Sequence, residues 1–184
     1  TPARSAEAPT HHYVRPFEDA VLHGQAVYRL CERLKREGFV PDLICSHAGF
    51  GPSLFIKDAF PDTPLLGYFE WFYHAQGSDA DYLDGPVSAD DACRIRSRNA
   101  AIQMELANCD WGVCPTVFQR GQFPAAFQNK LTLMHDGIDT DFFSPKAEAR
   151  MVLPGLDLSH AGEVVTYATR GMEPYRGFPQ FMRA

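Results

Sequence analysis

Two arginines six residues apart, Arg170 and Arg176, flank a turn after the apolar run VVTYA (164–168). The first sits at the C-terminal end of a predicted strand and the second at the start of a predicted helix. In open α/β sheets, ligands bind outside the carboxyl ends of the strands. Two guanidinium groups with a helix N-terminus can hold a diphosphate there and stabilise negative charge that grows on it, with no divalent metal. The acidic triplet DAD (79–81) falls in a polar loop, a poor setting for a metal. Glu70 lies between LLGYF and WFYH. A carboxylate at the end of a buried strand is costly without a partner or a role. It can bind hydroxyls or accept a proton; the alternative is an ion pair with Arg94, Arg96 or Arg98. HAGFG (47–51) places His47 at a strand end, with Gly49 and Gly51 where the backbone turns tightly or approaches a ligand. This turn lines a cleft or merely links strand to helix. Arg120, just after the run at 110–114, is a further candidate for phosphate or ligand contact. Thr116 beside it fits a helix cap better than a ligand contact. His11, His12 and His23 have no metal-ligand spacing, and no metal site is predicted.

The elements that must position these residues are legible from periodicity. Phe17, Val21, Gly24, Val27, Tyr28, Cys31 and Leu34 recur at three- and four-residue steps, predicting a helix over 16–38 that stops at Gly38. PDLICSH (41–47) reads as a buried parallel strand, followed by a helix near 52–60. A second strand is predicted at 65–69 and a surface loop at 74–87. Ser88 caps a helix running to about Asn108, with Asp90 and Asp91 in its first turn. WGVC (111–114) and LTLM (131–134) are two more short strands, with helix between them. This alternation predicts an α/β fold with a Rossmann-like, parallel, doubly wound sheet and flanking helices. Residues 136–163 read as irregular, and a strand, turn and helix begin again at Val164.

Apolar residues make up 45% of the 184 and aromatic residues 12%, enough for a packed core. The formal charge of −6 argues against a nucleic-acid partner while leaving room for a local anion site. Five cysteines without a CxxC pair predict buried, reduced thiols in a cytoplasmic protein rather than a disulfide or zinc framework. No run of eighteen apolar residues spans a membrane. The opening TPARSAEAPT has no apolar centre and reads as a tether rather than a signal peptide.

Three segments resemble glycosyltransferase family 4, whose members have the two-domain GT-B fold. DWGVCPTVFQRGQFP (110–124) resembles the family's strand that ends in a small hydroxyl residue. MHDGIDTDFFSP (134–145) resembles the strand and turn closing its N-terminal domain. VVTYATRGMEPYRGFPQFMRA (164–184) resembles the start of its donor domain. HAGFG and LLGYFEWFYH resemble a bacterial subgroup. Asp136 stands where the family usually has Asn, Thr169 where it has Gly, Arg176 where it has Lys, and Glu70 where many members have His. The resemblance implies a flexible tether over 1–12 and an acceptor-side domain over 13–145. A linker over 146–163 and the beginning of a donor-binding domain over 164–184 would follow. It implies a fragment inactive by itself, from a retaining, metal-independent enzyme. That enzyme would move sugar from a nucleotide-diphosphate sugar to a glycan, lipid or small-molecule acceptor, with no other cofactor and with peripheral membrane contact in the whole protein. Arg170 and Arg176 would hold the donor diphosphate, and Glu70 would act at the acceptor side, with His47, Gly49, Gly51 and Arg120 lining its cleft. Two alternatives stay open: a sugar-nucleotide epimerase of the same architecture, and a non-catalytic acceptor-side binding fragment.

Overall fold

The computed structural model describes residues 2, 4, 9–83 and 85–184. Two compact units divide the chain, Thr1–His135 and Asp136–Ala184. Half of the predicted tether lies outside the described residues. Its described part is tied down: Arg4 and Thr10 donate to the Glu18 carboxylate, and Tyr13 donates to Asp90.

The first unit opens with α1 (Arg15–Arg36), which has Pro in its first turn, Glu18 at its positive end, and Arg33, Lys35 and Arg36 at its negative end. Then come β1 (Ile44–His47), the short α2 (Ile56–Ala59) and β2 (Leu65–Tyr68). After the polar loop come α3 (Ala89–Arg98), α4 (Ala100–Asn108), β3 (Trp111–Cys114), α5 (Val117–Gln122), α6 (Ala125–Gln128) and β4 (Leu131–Leu133). The four strands form one parallel sheet in the order β1-β2-β3-β4, with His47 opposite Tyr68 and Tyr68 opposite Val113. Each crossover steps in the same direction, so the reversal of order expected of a doubly wound sheet is not made by these strands.

Phe69, just past β2, packs at the centre of the core. Its ring lies edge-on to Phe123, with centroids 5.8 Å apart. Gly67 and Gly112, side by side on β2 and β3, leave the space it fills: a Cβ on Gly67 would stand 2.4 Å from the Phe69 ring, and one on Gly112 would stand 2.9 Å away. Ser88 caps α3 as expected, accepting from the Asp91 amide, and Thr116 caps α5 by accepting from Gln119. The helix expected to run unbroken from Ser88 to Asn108 is interrupted at Asn99. There the side chain turns inward, accepts from the Tyr73 amide and donates to the Tyr73 carbonyl, both at 2.8 Å.

The cysteine expectation is met only in part. All five thiols are free and Cys31, Cys109 and Cys114 are buried, but Cys45 and Cys93 are exposed. β1 is an edge strand that buries alternate residues only partly, and α3 buries none of its residues.

The second unit contains an antiparallel pair, β5 (Val152–Leu153) and β6 (Leu156–Asp157), joined through Pro154 and Gly155. Gly155 takes φ 77°, as a type II turn requires of its third residue. A 3-10 turn (Pro174–Arg176) leads into α7 (Phe178–Phe181). Residues 164–168, predicted as a strand, pair with no strand here. A strand forms only where a neighbour takes up its backbone donors and acceptors. Tyr167 instead packs its ring on Phe178 and Phe181.

Gly67→Ala should destabilise the first unit by about 1–3 kcal/mol, because the new methyl must displace the Phe69 ring. Gly121→Ala, in α5 with nothing within 4 Å of the added Cβ, should be neutral or slightly stabilising. Urea unfolding of the two variants checks this, and equal midpoints would contradict the packing.

Candidate functional site

The parallel register brings the C-terminal ends of β1 and β2 level, so the residues that leave them meet at one rim. A cleft of about 310 Å³ opens there. Its floor is the turn at 47–50; Glu70, Trp71 and Tyr73 form one wall, and the N-terminal half of α1 with Arg98 and Ile102 completes it.

Beneath the turn lies a carboxylate that sequence reasoning missed. Glu105 is 1% exposed. It accepts from the Gly49 amide at 2.6 Å and the Ser53 hydroxyl at 2.8 Å. Burial holds its carboxyl above the ordinary value, against the opposing pull of hydrogen bonds from Gly49, Ser53 and Gly51. The turn can converge on one carboxylate because Gly49 and Gly51 take φ of 96° and 89°. Gly51 also touches α1: a Cβ there would stand 2.0 Å from the Ala20 carbonyl oxygen. Glu105 shares the apolar stripe of α4 with Ala101, Ile102 and Leu106. A charge at that position was the signal available in the sequence.

The predicted residues fall into three groups. His47, Gly49 and Glu70 meet in the cleft. The His47 ring lies 5.3 Å from that of Phe50, its Nδ1 is 2.9 Å from the Ala48 carbonyl oxygen, and its Nε2 is 3.4 Å from Glu70 Oε2. The Glu70 side chain is 58% exposed, so it avoids the burial penalty expected of it, and its ionisable neighbour is His47 rather than an arginine of α3. Arg98 lies instead 4.0 Å over the Tyr73 ring. Burial raises the Tyr73 phenol above its ordinary value, which keeps it a hydrogen-bond donor.

Gly51 and Arg120 form the second group, outside the cleft lining. Gly51 seats α1. Arg120 donates through Nε and Nη2 to the Gln128 carbonyl at 3.2 and 2.8 Å and so ties α5 to α6. Arg170 and Arg176 form the third group, in the second unit. Arg176 donates to Glu173 at 2.7 Å. The Tyr175 hydroxyl, then Arg176 and, more weakly, Arg170 hold the Glu173 carboxyl below the usual range.

Trp71 also escaped the sequence reading. Its indole Nε1–H is buried without a hydrogen-bond partner, a state that costs about 1–3 kcal/mol. A carboxylate, an imidazole, a phenol and aromatic walls in one open cleft suit a polyhydroxylated ligand, which needs acceptors, donors and apolar faces together. Among the described residues, no group of three His, Cys, Asp or Glu is placed to hold a metal ion, and no helix is long and apolar enough to cross a membrane.

Glu105→Ala should destabilise the first unit by about 2–4 kcal/mol, since it orphans buried donors and leaves a cavity. The folded carboxyl keeps its proton at pH values where the unfolded one has lost it, so its stabilisation is greatest below the ordinary carboxylate value and declines as pH rises towards the folded value. The stability gap between wild type and variant should therefore narrow with rising pH in urea titrations from pH 4.5 upward. A gap that widens would show that ionised Glu105 is the favoured form.

None of the curated proteins compared with the chain matches it. The profile of the glycosyl transferase family 4 group matches residues 1–143, which include the whole sheet and the cleft at its rim. On that match the chain belongs to the glycosyl transferase family 4 group.

Proposed function

We propose that this chain supplies the acceptor side of a retaining, metal-independent glycosyltransferase, which moves sugar from a nucleotide-diphosphate sugar to a glycan, lipid or small-molecule acceptor in the cytoplasm. The observation that carries this reading is the meeting of His47, Gly49 and Glu70 in one cleft at the carboxyl ends of β1 and β2, within a member of a glycosyl transferase family. That is where an open α/β sheet binds its ligand. Glu70 orients an acceptor hydroxyl there, and its exposure lets it reach ligand without first being desolvated.

The donor diphosphate falls to Arg170 and Arg176. Arg176 already holds an anion in this structure, the Glu173 carboxylate. A diphosphate offers the same guanidinium groups more charge and more acceptor oxygens, so it competes with Glu173 for them. Charge on the diphosphate grows as the sugar departs, and its stabilisation at that moment takes the place of a metal ion. The reaction then requires donor and acceptor and no further cofactor.

Release of nucleoside diphosphate from a panel of nucleotide sugars by the whole protein, with glycan and lipid acceptors present, tests this reading. Arg170→Ala and Arg176→Ala should each lower kcat/KM by about ten- to a few-hundred-fold, the equivalent of about 1.5–3 kcal/mol. Arg176→Lys should recover much of the loss, because lysine is the usual residue of the family there, and Arg170→Lys less, because a point charge does not reproduce a planar fork. Glu70→Gln should lower turnover more than donor affinity. Folded alanine variants with wild-type kinetics would remove the diphosphate site.

A further inference from the structure

Among the described residues that line the cleft, Arg98 is the one arginine or lysine. It lies in the last turn of α3, and its guanidinium carbon sits 4.0 Å from the centroid of the Tyr73 ring. Among the described residues it forms no ion pair. The acids nearby are engaged elsewhere: Asp91 accepts from Arg94 at 2.8 Å, Asp90 accepts from Tyr13, and Glu70 faces His47. The Glu70–Arg98 pair that the sequence allowed is therefore not made, and an exposed guanidinium stands in the cleft with its charge unmatched.

The surroundings of this cation narrow the class of ligand. Contact with a ring face takes up no lone pair, so the guanidinium N–H bonds remain to be met by an acceptor. Their planar fork matches two oxygens of a carboxylate or a phosphate. The aromatic face also restrains the side chain before ligand arrives, so less rotamer freedom is lost on binding. Burial keeps the Tyr73 phenol protonated, which adds a second donor on the same wall. Asp19 and Glu70 line the cleft as well. They accept from hydroxyls but repel a ligand that is anionic throughout. A neutral sugar leaves Arg98 unmatched, and a polyanion meets two acids. A sugar that carries a single anionic group satisfies both sets of residues.

We infer that Arg98, held over Tyr73, is a specificity-determining residue that binds one carboxylate or phosphate group on the acceptor sugar. That the sugar is the acceptor rests on the acceptor-side reading of the cleft. The anion site itself is read by binding, with no transfer step.

Nitrogen-edited NMR titration of the full chain tests it with three probes that differ only at the sixth carbon of one ring. They are methyl β-D-glucopyranoside, methyl β-D-glucuronide and methyl β-D-glucopyranoside 6-phosphate. At low salt at least one anionic probe should bind about tenfold or more tightly than the neutral one and shift the Arg98 Nε–H signal. Which anionic probe leads tells carboxylate from phosphate. The preference should shrink as salt rises, vanish in Arg98→Gln and survive in part in Arg98→Lys. Backbone spectra report whether the variants are folded, and the comparison of probes on the wild-type chain needs no variant. Equal binding of all three probes, or a preference that persists in folded Arg98→Gln, would overturn the assignment. So would inorganic phosphate alone binding as tightly as the sugar phosphate, which would mark a site for free anion. Those results would leave the transferase reading intact. Loss of transfer alongside selective binding of an anionic sugar would do the reverse.

Discussion

The cleft depends on one buried carboxylate. Glu105 accepts from the amide of Gly49 and the hydroxyl of Ser53 beneath the turn that follows β1, and so converts a position on α4 into the path of a loop on the far side of the sheet's rim. The turn can converge on it only with left-handed backbone at Gly49 and Gly51. That curvature carries Gly51 against the backbone of α1 at Ala20, with Gly24 making room for the Gly51 carbonyl one turn later. Strand, turn and two helices are therefore fixed by a single set of hydrogen bonds. The balance is fine, because burial opposes ionisation of the same group whose oxygens the loop needs.

The opposite wall has its own device, and the two are adjacent in sequence. Asn99 holds the backbone of Tyr73 from both sides, six residues before Glu105 along the chain. Phe69, seated over Gly67 and Gly112, anchors the other end of the same wall. Between these points the chain leaves the core with Glu70 and Trp71 at the cleft. One helical segment, broken at Asn99 so that its side chain can face inward, thus sets the distance between both walls. The break is what an unbroken amphipathic helix could not supply.

What the sequence disclosed follows from this division. The strands were legible because each is a short apolar run between breakers, and WGVC at 111–114 coincides with β3. His47, Gly49 and Glu70 were legible because strand ends are recognisable and their chemistry is not that of a core. Glu105 and Asn99 were not, since a polar residue on an apolar helix face reveals its partner only once the tertiary fold brings a loop across it. Arg120 looked like an anion ligand, yet it holds a carbonyl between two short helices, a bond that no spacing announces. In the second unit, where no residue is buried, an apolar run such as VVTYA keeps strand propensity but finds no ladder. Propensity is a weak prior when packing is missing.

Groups that fix the fold and groups that face the open cleft are thus kept apart by a single layer of backbone. Below the turn every polar atom of Glu105 and Asn99 has a partner, and a change there orphans a buried group. Above it, Glu70 and His47 are 58% and 43% exposed, and Phe50 is more open still. Substitutions at exposed positions usually leave stability within about 0.5 kcal/mol. The rim can therefore exchange its acceptors, donors and apolar faces without disturbing the carboxylate that holds it up. A cleft built this way can change its ligand at residues 47, 50 and 70 while residues 49, 51, 99 and 105 stay as they are.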